Sequence, residues 1–241
     1  MKGKTNSKKT TRNTTMKVTG KEEEFIRLNH ALRGELNYAN WHFITWKHLW
    51  NSIEEYSDEM NVAHTFFTLS MRGHLLETLL RLNKMFDEGH DGTNTVSNLL
   101  DFADKNMHIF AAPAADRRKR NEEDMILEKQ VEETKPLQIT GDMVKAHRDK
   151  LKGLPLKKLK KWEEEALAHV DRKVAKKHLN VFDECPVDIE EIDGIIDTVH
   201  EILNVYSIAY DGQKWDKDLV FTHGIKNMLD AIKAGKQLIK K

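Results

Sequence analysis

The sequence predicts an all-α, helical-bundle fold with long antiparallel helices near the N-terminus, and three observations carry that prediction. Apolar residues recur at three- and four-residue spacing through one segment after another, which is the period of a buried helix face. Capping residues and glycine or proline breaks separate those segments. No stretch alternates apolar and polar residues over the length of a strand, and no repeat period occurs.

Residues 1–20 hold five Lys and one Arg, no acid and almost no apolar residue. Such a segment cannot offset the entropy of ordering, so a disordered basic tail is expected, followed by one helical domain over 21–241. A tail of this kind can graze nucleic-acid phosphates, although a solvated leader is the plainer reading.

From Glu22 the pattern is helical. Phe25, Ile26, Leu28, Leu32 and Leu36 set a stripe that Trp41, Phe43, Ile44, Trp46, Trp50 and Ile53 continue. The three tryptophans are assigned to the core, because aromatic rings at helical spacing usually supply buried area. Glu22, Glu23 and Glu24 favour the N-terminal end of the macrodipole. Ser57, followed by Asp58 and Glu59, reads as the N-cap of a second long helix reaching Phe86, whose broad apolar face places it centrally in the bundle. Glu88-Gly89-His90-Asp91-Gly92 breaks it. A shorter helix starts at Thr95 or Ser97.

Residues 113–137 change character. Asp116-Arg117-Arg118-Lys119-Arg120 runs into Asn121-Glu122-Glu123-Asp124, whose acids largely cancel the bases; a solvated helix or a mobile connector is expected, ended by Pro136. Thr140 caps a helix over 141–153, and Gly153-Leu154-Pro155 separates it from a helix over 157–174. A loop over 180–186 leads to Asp188, the N-cap of a helix from Ile189 to Tyr210 that Asp211-Gly212 stops. A last amphipathic helix covers 219–239.

Charge and composition narrow the function. The 39 basic and 39 acidic residues balance, so no global field announces a nucleic-acid or membrane partner. The longest apolar runs fall short of the roughly 20 residues needed to span a bilayer, and no secretory signal is present. The single Cys185 excludes an intramolecular disulfide and a cysteine-based zinc cluster. A cytoplasmic protein without membrane partner is expected.

Twelve histidines invite a metal reading. Glu165 and His169 lie a turn apart, Asp197 and His200 share a face, and His74 precedes Glu77 by three. A di-iron bundle needs Glu-x-x-His on two helices, however, and no such pair occurs. Phosphate-cradling glycine loops, nucleophile elbows and metalloprotease histidine pairs are likewise missing from the sequence. No metal and no cofactor are expected.

Three blocks are similar to one family. Met60-Asn-Val-Ala-His-Thr-Phe-Phe-Thr-Leu through Leu79-Leu-Arg-Leu-Asn-Lys-Met-Phe-Asp87 resembles a long helix ending in a leucine-rich turn and an Asp. Lys161-Trp-Glu-Glu-Glu-Ala-Leu-Ala-His-Val-Asp171 matches a segment Arg-Asp/Asn-Lys-x-x-Ala-His-x-Asp at Ala168, His169 and Asp171. Val187-Asp-Ile-Glu-Glu-Ile-Asp through Glu201-Ile-Leu-Asn-Val-Tyr-Ser207 resembles the helix after it. Together, over about residues 25–212, these resemble the HEPN superfamily in its AbiU-type, abortive-infection branch.

The resemblance implies an all-α, metal-independent ribonuclease, often a homodimer, in phage defence or toxin–antitoxin pairs. An Arg one to two helical turns before a His then faces RNA. His169 would move a proton from the ribose 2′-hydroxyl, and an Arg fork would hold the phosphate. Here Glu163 stands six residues before His169, where the family has Arg, with Glu164 and Glu165 beside it. Three carboxylates repel a phosphate. Arg148, in His147-Arg148-Asp149-Lys150, and Arg172 are the candidate substitutes, while Arg172 and His178 repeat the bare spacing at the helix end.

Two functions follow. One is a metal-independent RNA endonuclease with His169, Asp171 and either Arg148 or Arg172 at its site. The other is a catalytically inactive HEPN-like module that binds RNA, an antitoxin or another protein partner. A plain structural role for the 157–174 helix is the simplest account of the same residues: Leu159, Trp162, Ala166 and Val170 form its buried stripe, His169 borders it, and Glu163–Glu165 face solvent beside Lys158, Lys160 and Lys161.

Overall fold

A computed structural model of the chain describes residues 19–87, 94–111, 132–133, 137–168, 188–217 and 223–239. The described residues hold eight α-helices, in keeping with the all-α prediction: α1 Gly20–Asn51, α2 Ile53–Val62, α3 His64–Lys84, α4 Val96–Lys105, α5 Gly141–Lys152, α6 Leu156–Ala168, α7 Ile189–Asp211 and α8 His223–Ile239. The basic residues 1–18, the break at 88–92, most of 113–137 and the loop at 180–186 lie outside the described residues.

Helix α1 begins on a reciprocal cap. Thr19 Oγ1 accepts from the Glu22 amide at 3.3 Å, and the Glu22 carboxylate accepts from the Thr19 amide at 2.9 Å. At its other end the Ser52 hydroxyl donates to the His48 carbonyl at 2.7 Å. Between these ends Phe25, Leu28, Leu32, Leu36, Ala39, Phe43, Trp46 and Leu49 are buried at helical spacing. Two of the three tryptophans depart from the expected core placement. Trp46 is buried, whereas Trp41 is 38% and Trp50 52% exposed. Trp50 stacks on Trp46 at 5.7 Å and Trp41 meets Tyr38 edge-on at 5.4 Å, so both gain ring contact without burial.

The cap pattern at Ser57 also resolves differently. Ser57 lies inside α2, and the second long helix starts at His64. The backbone does leave helical geometry beside it, at Tyr56 (φ −123°, ψ 25°), and again at Ala63 (φ −132°, ψ 50°). Burying Tyr56 against α8 places the first irregularity there. Its hydroxyl donates to Asp230 Oδ1 at 2.6 Å and accepts from Lys226 Nζ at 2.9 Å.

Helices α1 and α3 pack lengthwise and antiparallel. Numbers climb along α1 as they fall along α3: Arg81 Nη1 donates to Glu35 at 3.0 Å, Thr78 Oγ1 to the Ala39 carbonyl at 3.3 Å, and His42 meets His74. On its other side α3 supports α6. The expected contact from two sides is therefore present over the C-terminal half of α3, where Leu75, Leu79 and Leu82 are buried, and in its N-terminal half Phe67 is buried as well.

Thr95, not Ser97, caps α4, accepting from the Asn98 amide at 3.1 Å. Thr140 and Asp188 cap α5 and α7 as expected, and Gly212 ends α7 with a left-handed φ of 75°, which favours glycine. One short pairing was not legible as a strand: Glu132–Glu133 bridges Gln213–Lys214 antiparallel. Two residues cannot show an alternating pattern.

The main core joins α1, α3, α4, α5, α6 and α7. Phe25 sits among Phe102, Phe110 and Tyr210, with ring centroids 6.2, 5.2 and 4.8 Å away. A second, smaller cluster of Leu49, Tyr56, Met60, Phe67 and Leu229 fastens α8 to α2 and α3.

Candidate functional site

Helix α6 leads to the predicted histidine, so its anchorage comes first. Leu159 and Trp162, three residues apart, are buried in the main core. Asn83 Nδ2 of α3 donates to the Leu159 carbonyl at 3.1 Å, and Lys158 Nζ pairs with Glu191 of α7 at 2.5 Å. The start of α6 is thus held from two sides. The helix is described to Ala168; His169, Asp171, Arg172 and His178 follow it and lie outside the described residues, as do the side chains of Glu163–Glu165.

Arg148, the other candidate, is placed, and its fork is occupied. Nη1 donates to Asp104 Oδ2 at 3.0 Å and Nη2 to Asp101 Oδ1 at 2.8 Å. Both acids stand on one face of α4, three residues apart, so one guanidinium clamps α4 to α5. The bond to Asp101 first, and that to Asp104 second, push the Arg148 pKa further up. Two carboxylates around one cation leave a net negative charge, and a phosphate would have to displace them.

The residues on either side of Arg148 are fastened as well. His147 is buried, with Nδ1 3.1 Å from the Tyr206 hydroxyl of α7. Burial lowers the His147 pKa and raises that of Tyr206. Lys150 pairs with Glu201 of α7 at 2.7 Å, and Asp149 with Lys152 at 2.9 Å. His147-Arg148-Asp149-Lys150 therefore ties α5 to α4 and α7. The signal that could have revealed this was Asp101 and Asp104 at helical spacing; the sequence analysis did not connect them to a cation on another helix.

Other histidines are also committed. His42 and His74 meet with Nδ1 atoms 2.8 Å apart, a distance at which one ring donates to the other, and burial lowers both pKa values. His200 Nε2 lies 3.0 Å from the Trp215 carbonyl, and burial lowers its pKa too. Of the near misses for a metal pattern, Asp197 pairs with Lys217 and Glu77 with Arg81, while His169 and the Glu165 side chain lie outside the described residues. Among the described residues no group of three or more His, Cys, Asp or Glu could hold a metal ion. Among them, too, no helix is long and apolar enough to cross a membrane.

Comparison with known proteins adds one match. The model of a HEPN family described as AbiU2 matches residues 22–229. No curated protein and no solved structure matches. Arg148-Asp149-Lys150 lies at the end of α5, and the turn at Gly153-Leu154-Pro155 and the whole of α6 separate it in the chain from Ala168-His169-Val170-Asp171.

Proposed function

The chain belongs to the AbiU2 family of HEPN proteins, and we propose that within abortive-infection-type defence it acts as a helical binding module for a protein partner, such as a cognate antitoxin, and does not itself cleave RNA. The observation that carries this reading is the closed fork of Arg148. A phosphate clamp needs guanidinium donors facing the substrate, and these face Asp101 and Asp104. Glu163, where the family has Arg, adds charge of the wrong sign for RNA. The balanced net charge gives no long-range pull on a polyanion.

A second reading keeps the enzyme. The Ala168-His169-Val170-Asp171 match favours a metal-independent endonuclease in which His169 takes the 2′-hydroxyl proton, Asp171 orients or balances it, and Arg172 contacts the phosphate. A homodimer would then form the RNA-facing groove.

Arg148→Ala in the full chain separates a latch from a phosphate contact. The expected result is a stability loss below about 1 kcal/mol per solvent-screened pair, with affinity for a single-stranded RNA probe changed by less than about twofold in fluorescence anisotropy. A loss of about tenfold or more in RNA affinity at unchanged stability would make Arg148 a phosphate contact and contradict the binding-module reading.

A further inference from the structure

Helix α8 is seated on the rest of the molecule by one narrow stripe. Ile225, Leu229 and Ile232, at i, i+4 and i+7, pack with Leu49 near the end of α1, Tyr56 and Met60 of α2 and Phe67 of α3. Leu229 is fully buried there, Ile225 and Ile232 only partly. Among the described residues Met71 alone packs against both this cluster and the main core, so the seat of α8 is a packing unit of its own. A helix of 17 residues draws most of its stability from such packing and little from itself. The Lys226–Asp230 pair along its side is open to solvent and therefore weak.

Charge decides which helix fits the seat. Helix α2 carries Glu54, Glu55, Asp58 and Glu59 and no base, whereas α8 brings Lys226, Lys233 and Lys236. Lys226 and Lys233 lie 5.6 and 4.9 Å from the centre of the Tyr56 ring, and Lys226 Nζ donates to the Tyr56 hydroxyl at 2.9 Å. Lys236 Nζ donates to the Asp58 carbonyl at 2.9 Å and stands 3.9 Å from the buried Glu59 carboxylate. RNA would meet only repulsion along α2, and an acidic helix would leave Glu59 buried without a cation.

We infer that the seat formed by Leu49, Tyr56, Met60 and Phe67 is a helix-exchange site: α8 is its resident occupant, and the protein partner of this module enters it as a basic amphipathic helix with aliphatic residues at i, i+4 and i+7 and lysines beside them. The inference takes its partner class from the binding-module reading. A partner seated in this way competes with α8, so the resident helix sets the affinity that an incoming one must exceed.

Two measurements on the full chain test it. In native-state hydrogen exchange the amides of α2 and α8 are expected to exchange at least about tenfold faster than those in the middle of α1 and α7. Exchange of all four helices in a single step would overturn the inference. L229E unseats the resident helix, and circular dichroism should show the main-core helices retained; an L229E chain that is globally unfolded would overturn the inference as well. In nuclear magnetic resonance titrations a peptide of residues 223–239 is expected to shift amides of α2 and of the start of α3 in L229E, and to leave wild type unshifted. The same peptide with K226E/K233E/K236E is expected to bind about tenfold or more weakly. Peptide uptake by a chain that cleaves RNA would uphold the seat and overturn the binding-module reading alone. Refusal of the peptide by a folded L229E chain that leaves RNA intact would overturn the seat alone.

Discussion

Trp162→Ala is expected to destabilise the chain by about 3–5 kcal/mol, read as a shifted denaturation midpoint, because the indole fills the contact between α6 and the main core. Trp162 is 3% exposed and lies one turn after Leu159, which is fully buried. Removing the ring leaves a cavity that a helix pinned by Asn83 and Lys158 can collapse into only partly. The companion variant separates shape from polarity. The Trp162 Nε1 is buried with no hydrogen-bond partner among the described residues. Trp162→Phe keeps most of the volume and removes that orphaned donor, so it is expected to cost less than about 1.5 kcal/mol. Equal losses in both variants would mean that the indole N–H, and not packing, holds α6.

The second large effect is expected at Asn204. This residue of α7 is buried, with Oδ1 accepting from the Trp215 amide at 3.0 Å and Nδ2 donating to the Trp215 carbonyl at 3.1 Å. The segment it holds crosses between α7 and α1, where the Asn40 side chain donates to the Lys217 carbonyl at 2.6 Å and the Arg33 guanidinium lies 4.9 Å from the Trp215 ring. Asn204→Leu preserves size and removes both bonds, together with the 3.0 Å contact between Nδ2 and His200 Nε2. His200 still serves the Trp215 carbonyl, but the buried Trp215 amide loses its partner, at a cost of about 2–3 kcal/mol in chemical denaturation. A change below about 0.5 kcal/mol would show that water reaches the amide.

The helices were legible where one local cause suffices. Thr140 and Asp188 each cap through a side chain within three residues, and Gly212 ends α7 because the next step needs positive φ. The stripes of α1 and α7 were legible for the same reason, since the spacing of their apolar residues alone marks what is buried. Trp41 and Trp50 were not, because burial depends on which helix arrives opposite, and periodicity carries no record of it. Ser57 shows the limit of cap chemistry: Ser-Asp-Glu satisfies a helix start equally well inside α2, and the docking of Tyr56 onto α8 decides where the backbone breaks. The clamp on Arg148 was hidden because Asp101 and Asp104 lie over forty positions away. Family resemblance singled out the Ala168-His169-Val170-Asp171 segment and Glu163, and the match over residues 22–229 shows the family itself.

Incubating the purified full chain with a mixed RNA pool in EDTA, beside His169→Ala and Arg172→Ala, tests the central claim most directly. A binding module with its Arg148 fork closed predicts intact RNA from all three proteins. Cleavage by wild type that disappears in His169→Ala would contradict it, and would make the chain a metal-independent ribonuclease.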